Sequence, residues 1–254
     1  MKVCTVLIPC FNRQSLLNRC IESFASNFDY IDIIVVDDGS SPPISLCALP
    51  ADYPVTIVRL SENVGRFSAL KQGCGHVSTE YLLVFDSDDI WVGGVAAFAQ
   101  IESGGAGWVF STSATNFRSG LEKGAYSYFY LRYLSGVSGD LKEICRSEDF
   151  RTAVNRIIEV NQCRVPTTLI WMLAFGDRQI LFVNEVVCIK SYLPAGMTNK
   201  SFFLRLANAR YMYSLYDLLL KRSLAECASA SLLFRFSTRK LAYYLLSKVY
   251  DPHH

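Results

Sequence analysis

Two periods of apolar positions alternate over the first ninety residues. Lys2 to Pro9 is a short aliphatic run closed by proline, which reads as a strand. Ser15 to Asn27 puts Leu16, Leu17, Cys20, Ile21 and Phe24 on one helical stripe. Ile31 to Val36 is β-branched except for Asp32, as in a strand buried on both faces. Val55 to Leu60 predicts a third strand, Arg66 to Gly73 a helix ended by glycine, and Tyr81 to Phe85 a fourth strand. Strand and helix in alternation predict right-handed crossovers and a mostly parallel sheet. Farther on, Ser103 to Gly124 reads as loops around a strand at Trp108 to Ser111, and Gly136 to Gly139 as a break. Val165 to Phe175 predicts a helix, Ile180 to Ile189 a strand, and Phe202 to Arg222 and Leu224 to Tyr250 two long helices.

The polar residues with chemistry fall where such a sheet binds ligands, beyond the carboxyl ends of its strands. The first strand runs into Pro9-Cys10-Phe11-Asn12, the second into Asp37-Asp38-Gly39-Ser40, the fourth into Asp86-Ser87-Asp88-Asp89. Three carboxylates within four positions at the lip of an apolar sheet repel one another and lose hydration. A divalent cation relieves both costs. Mg²⁺ or Mn²⁺ takes hard oxygen ligands, commonly one or two carboxylates plus substrate phosphates. The bland alternative is an Asx-turn and helix cap, which needs one carboxylate rather than three.

Composition narrows the classes. A chain of 254 residues, 51% hydrophobic and 19% charged, has ample material for a core. A formal charge of +2 excludes an obvious nucleic-acid binder. No apolar run reaches the ~20 residues of a membrane span, and Met1-Lys2-Val3-Cys4 enters a strand pattern directly, with no secretory signal expected. The nine cysteines form no C-x-x-C pair and read as reduced thiols of a cytoplasmic protein. His76 is the only histidine before Pro252-His253-His254, so a histidine metal site or a triad lacks material.

Taken together, the strand-end motifs resemble the family 2 inverting glycosyltransferases of GT-A fold, especially those that build bacterial surface polysaccharides. Four segments carry the resemblance in order over about residues 1 to 92: Val6-Leu7-Ile8-Pro9-Cys10-Phe11-Asn12-Arg13, Val35-Val36-Asp37-Asp38-Gly39-Ser40, Glu62-Asn63-Val64-Gly65-Arg66, and Asp86-Ser87-Asp88-Asp89. The resemblance implies an α/β GT-A (Rossmann-like) mostly parallel sheet flanked by helices. Its division would be a nucleotide-sugar half at 1–105, an acceptor half at 106–200 and a C-terminal helical extension at 201–254. It further implies metal-dependent transfer of a hexosyl or N-acetylhexosaminyl group from a nucleotide-diphosphate sugar, on this family UDP, to a hydroxyl of a glycan or lipid-linked saccharide. Pro9, Cys10, Phe11, Asn12, Asp38, Gly65, Arg66, Asp86 and Ser87 would form the nucleotide site, and Asp88 and Asp89 would hold Mn²⁺ or Mg²⁺. A carboxylate at Asp38 can accept from the uracil N–H, and Phe11 can pack on the base or ribose. Cys10 stands where the family more often has Thr or Ser.

The second half resembles such chains through Gly139-Asp140-Leu141-Lys142-Glu143, Val165-Pro166-Thr167-Thr168, Leu181 to Val186 and Leu193 to Asn199. Acidic residues usual in the family near Val165-Pro166 are replaced here by Asn161-Gln162 and Thr167. Two candidates for the catalytic base therefore stay open, Glu159 and Asp149, beside the reading that both are solvated helix charges. A degenerate relative that binds a nucleotide sugar or a membrane without turnover is the non-enzymatic alternative. A sugar-nucleotide pyrophosphorylase would open with a glycine-rich loop, and no glycine precedes Gly39. Between Arg205 and Lys248 eight basic residues face only Asp217 and Glu226, interleaved with Phe, Leu and Tyr. That pattern suits peripheral docking on the inner face of an anionic membrane, or a helical cap or homodimer contact through 201–254.

Overall fold

The computed structural model describes residues 2–47, 49–99, 101, 105–117, 121–157, 165–191 and 208–250. Its frame is a nine-stranded sheet. The strands are β1 (Cys4–Cys10), β2 (Ile31–Asp37), β3 (Val55–Arg59), β4 (Tyr81–Val84), β5 (Ile90–Trp91), β6 (Gly107–Thr112), β8 (Gly124–Ser127), β10 (Leu141–Arg146) and β11 (Gln179–Ile189). Two short strands, β7 (Asn116–Phe117) and β9 (Val137–Ser138), pair apart from it. The order is β3-β2-β1-β4-β10-β6-β11-β5, with β8 on β11.

The first four strands are parallel, as the alternating pattern predicts. Beyond β4 the sheet is mixed. Strand β10 runs antiparallel to both β4 and β6, so β6 points the same way as β4, and β11 lies parallel to β6. β5 closes the sheet against the end of β11 through Ile90↔Ile189 and Trp91↔Cys188.

Alternate side chains of these strands enter two cores, which explains their unbroken apolar runs. Val6, Ile8, Ile33, Val35 and Leu83 face one core, covered by α1 (Gln14–Glu22) and α3 (Val95–Ala99). Leu7, Val36, Leu82 and Val84 face the other, with α2 (Arg66–Gly73), α4 (Ser147–Arg156) and α5 (Thr167–Phe175). α1 buries Leu17, Cys20 and Ile21, as its stripe requires, and stops at Glu22; a 3₁₀ turn at Ala25–Asn27 follows. The extension forms two packed helices, α6 (Ala209–Ala225) and α7 (Ala230–Tyr250), with α6 lying against α5. The second starts later than the apolar pattern predicts, and residues 202–207, where the first was expected to begin, lie outside the described residues. Among the described residues the cysteines are free thiols, and most are buried as small core side chains.

Candidate active site

Parallel register brings the ends of β1, β2 and β4 to one edge. Cys10 lies beside Asp37 and Leu7 beside Val84, so the three following loops emerge together. The loops are tied to one another. Asn12 takes a left-handed backbone (φ 54°) that lets its N–H donate to Ser40 Oγ at 2.9 Å, while its Oδ1 accepts from the Ser41 N–H at 2.8 Å. Gly39 (φ 71°) admits the 62–63 backbone: a Cβ there would lie 2.6 Å from Asn63 N. Next door, the Asp38 carboxylate accepts from the N–H groups of Val64 at 2.8 Å and Gly65 at 3.0 Å. Burial raises the Asp38 pKa, and those two N–H groups pull against the rise. Gly65 (φ 88°) turns the chain into α2.

Nucleotide-site expectations therefore converge on one edge. Pro9 is half-buried in β1, and Cys10 and Ser87 are buried. Burial pushes the Cys10 thiol up, so it is a protonated packing group rather than a reactive one. Phe11 departs from the buried aromatics: it is 43% exposed at the mouth of the site. Arg66, the first residue of α2, donates from Nε at 3.2 Å and Nη2 at 2.8 Å to Asp86 Oδ1.

The acidic run is matched by cations. Asp88 Oδ2 meets Arg13 Nη1 at 2.6 Å. Asp86 Oδ2 meets Lys190 Nζ at 3.1 Å, and Asp89 Oδ2 meets Lys190 Nζ at 2.7 Å and Lys142 Nζ at 3.0 Å. Burial alone would raise the Asp86 pKa, but Arg66, Lys142 and Lys190 hold it well below the usual carboxylate range. Asp88 is shifted up, by burial and then by Asp86 and Asp89, with Arg13 opposing.

This donor set decides how a metal could be held. Asp89, expected as a metal ligand, is buried here between two ammonium groups. Among the described residues no cluster of three or more acidic, His or Cys side chains could enclose an ion. Asp88 is different: one oxygen meets Arg13, and the side chain is 15% exposed. A single carboxylate completed by substrate phosphates is a usual Mg²⁺ arrangement, and Asp88 fits it.

Asp149, the other candidate base, stands away from this edge. Because β10 is antiparallel to β4, Arg146 ends beside Tyr81, at the amino edge of the sheet. α4 starts there, anchored by Ser147 N–H to Glu80 O at 2.8 Å and Ser147 Oγ to Thr79 O at 2.8 Å. Five residues of extended strand, roughly 17 Å, separate that edge from Asp86. Asp149 instead lies 2.7 Å from Arg178 Nη1, an ion pair by distance without hydrogen-bond alignment. Glu159 lies outside the described residues.

Arg13, Lys142 and Lys190 were given no role by the sequence reading. Lys190 follows β11, another strand that ends at the ligand edge, so the rule that located the acidic run also points to it. The same β10 start carries Asp140, 47% exposed and 3.6 Å from Lys190 Nζ.

Comparison with known proteins gives similarity in sequence over the first part of the chain and in fold over nearly all of it. The Glycosyl transferase family 2 sequence profile matches residues 5–96. Glycosyltransferase GlyA of Streptococcus pneumoniae is 31% identical over 91 residues, which is 35% of this chain and 13% of that protein. Poly-beta-1,6-N-acetyl-D-glucosamine synthase of Staphylococcus aureus is 28% identical over 89 residues, 34% of this chain and 22% of that one. The matched stretch is thus a small part of the length of these curated relatives. Among solved structures, Staphylococcus aureus TarS 1-349 in complex with UDP-GlcNAc superposes with a TM-score of 0.68 at 15% identity, over 95% of this chain and 73% of that one. The mannosyltransferase PcManGT of Pyrobaculum calidifontis, in complex with GDP-Man and Mn2+, gives a TM-score of 0.53 at 13% identity, over 99% and 75%. At such identities the likeness establishes the fold. Residues 5–96 thus match the family 2 glycosyltransferase model, within a chain whose fold is the GT-A fold of TarS.

Proposed function

We propose that this chain transfers a sugar, with inversion, from a nucleotide-diphosphate donor to a hydroxyl of a glycan or lipid-linked saccharide. The observation that carries the reading is the convergence of Phe11, Asp38 and the Asp86–Asp89 run on one sheet edge, with Phe11 left open to solvent. Phe11 packs on the base or ribose, and Asp38 accepts from a base N–H through lone pairs its two backbone partners leave available. Arg66 fixes Asp86 at the ribose side of the site. The donor is a UDP-sugar on the strength of Asp38. The UDP-GlcNAc complex of TarS supports that choice, and the GDP-Man complex of PcManGT makes GDP the competitor to test.

Asp88 is the residue that would hold Mn²⁺ or Mg²⁺. When bound, the ion supplies positive charge to the departing diphosphate. Inverting transfer is a single in-line displacement, so a carboxylate must take the acceptor proton, an effect typically worth ~10² to 10⁴ in rate. Glu159 keeps the role of proposed base, and Asp140 is an exposed carboxylate on the required edge. Glu159→Gln and Asp140→Asn separate them: the base is the one whose loss abolishes transfer while donor affinity stays within twofold.

The reading is tested by incubating the protein with UDP-GlcNAc, UDP-glucose and GDP-mannose and following donor consumption. Consumption of one donor, lost in Asp88→Ala, is expected. Binding without consumption or transfer would support the degenerate reading, which rests on Thr167 at the start of α5, where the family resemblance leads one to expect an acidic residue. No helix among the described residues is long and apolar enough to cross a membrane. The extension carries an exposed stripe of Phe234, Leu241 and Leu245 with Arg235 and Lys248 beside it. We assign that stripe to peripheral contact with an anionic membrane, where a lipid-linked acceptor would lie.

A further inference from the structure

We propose that Lys190 is the residue that receives the donor diphosphate, an internal cation parked on the acidic run until the phosphates arrive. The inference rests on the nucleotide-sugar reading of this site. Pairing of β5 with β11 sets Ile90 beside Ile189, so Asp89 and Lys190, one step beyond on each strand, must meet. Lys190 Nζ then lies 2.7 Å from Asp89, 3.1 Å from Asp86 and 3.6 Å from Asp140.

Lys190 is the cation the cluster can release. If it turns away, Asp86 keeps Arg66 at 2.8 Å and Asp89 keeps Lys142 at 3.0 Å, so no buried carboxylate is orphaned. Lys142 has no such freedom: it is buried in the middle of the sheet, with its Nζ 4.3 Å from the Phe85 ring centroid. Lys190 stands past the end of its strand, with three rotatable donors on a flexible four-carbon stem. Its ammonium can share two of those donors with phosphate oxygens and leave the third on Asp89. The charge it brings needs no divalent ion, so part of the diphosphate affinity belongs to the protein itself.

The test is calorimetric titration with UDP, GDP and dTDP and with the matching monophosphates, in Mn²⁺ and in EDTA. Wild type, Lys190→Met and Lys190→Arg are compared. For the nucleotide that wild type prefers, wild type in EDTA is expected to bind the diphosphate tighter than the monophosphate. Lys190→Met should weaken the diphosphate by about ten- to hundredfold in both media, the scale of a lost hydrogen bond to a charged group. It should leave the monophosphate within about twofold, and Lys190→Arg should restore most of the loss. A purely structural lysine would weaken both ligands together. Equal diphosphate affinity in wild type and Lys190→Met overturns the inference alone, as does a wild type that in EDTA does not distinguish diphosphate from monophosphate. Failure of wild type to bind any of the nucleotides overturns the donor-site reading as well.

Discussion

Asp37 and Asp38 are adjacent in sequence and opposite in role. Asp37 is fully buried; it accepts from the N–H groups of Ser40 at 2.9 Å and Ile44 at 3.0 Å and is paired with Arg59. Burial alone would raise its pKa, but those hydrogen bonds and Arg59 together lower it. A depressed native pKa contributes stability above the unfolded value, near 3.9, and that contribution is lost as pH falls through the native value. Asp37→Asn is therefore expected to cost roughly 1.5–3 kcal/mol in denaturant unfolding at pH 7. The gap from wild type should narrow below about pH 4; a gap independent of pH would show that the charge is not what matters. Phe11 is the contrasting case, 43% exposed at the mouth of the site. Phe11→Ala should leave unfolding within ~0.5 kcal/mol and weaken nucleotide binding by about 1 kcal/mol, some fivefold. The sequence shows Asp-Asp-Gly-Ser plainly. It does not show which aspartate is structural, because burial at a strand end is decided by the neighbouring Ile44 and Val64 segments. The lysines on Asp86 and Asp89 were not picked out for a related reason, since Lys142 lies in a strand far along the chain and Lys190 just past the end of another.

The parallel strands were legible as elements because each buries both faces and so reads as a continuous apolar run. β10 was not. Lys142 and Glu143 sit in its centre and break the pattern, and each is buried only because a partner waits, Asp89 for Lys142 and the Tyr128 hydroxyl at 2.7 Å for Glu143. The direction of that strand also sets the place of Asp149, since it decides which sheet edge the following helix occupies. Asp149→Asn is expected to leave nucleotide affinity unchanged and to cost at most about 1 kcal/mol, as its Arg178 partner is partly exposed. A loss of nucleotide binding in a folded Asp149→Asn protein would contradict the strand order. The seat of α2 on the sheet is a tight packing constraint. A Cβ on Gly73 would lie 2.7 Å from Leu7 Cδ1 and would also strike Val36, both fully buried. Gly73→Ala should therefore destabilise by about 1–3 kcal/mol, measured by denaturant unfolding, although alanine favours the helix itself.

Across the whole molecule, one sheet edge collects the residues proposed for nucleotide and phosphate binding, while α6 and α7 form a helical layer against α5. On α7, Phe234 (72% exposed), Leu241 (60%) and Leu245 (56%) are spaced at seven and four residues and so share one side of the helix. Leu241→Asp with Leu245→Asp should abolish co-sedimentation with phosphatidylglycerol vesicles and leave nucleotide affinity intact. A shift from dimer to monomer in that variant, with no vesicle binding in wild type, would assign the stripe to a second copy instead. The character of this region was legible in its basic and aromatic composition, but its occupant was not, because a membrane and a subunit both cover apolar stripes. The central claim, a nucleotide-diphosphate site at the carboxyl edge of β1, β2 and β4, is tested most directly by calorimetric titration of the purified protein. UDP, GDP and dTDP would be titrated with Mn²⁺, into wild type and into Asp88→Ala. The account predicts saturable 1:1 binding of one nucleotide, UDP on the present reading, markedly weakened in Asp88→Ala. No binding of any of the three to folded wild-type protein would contradict it.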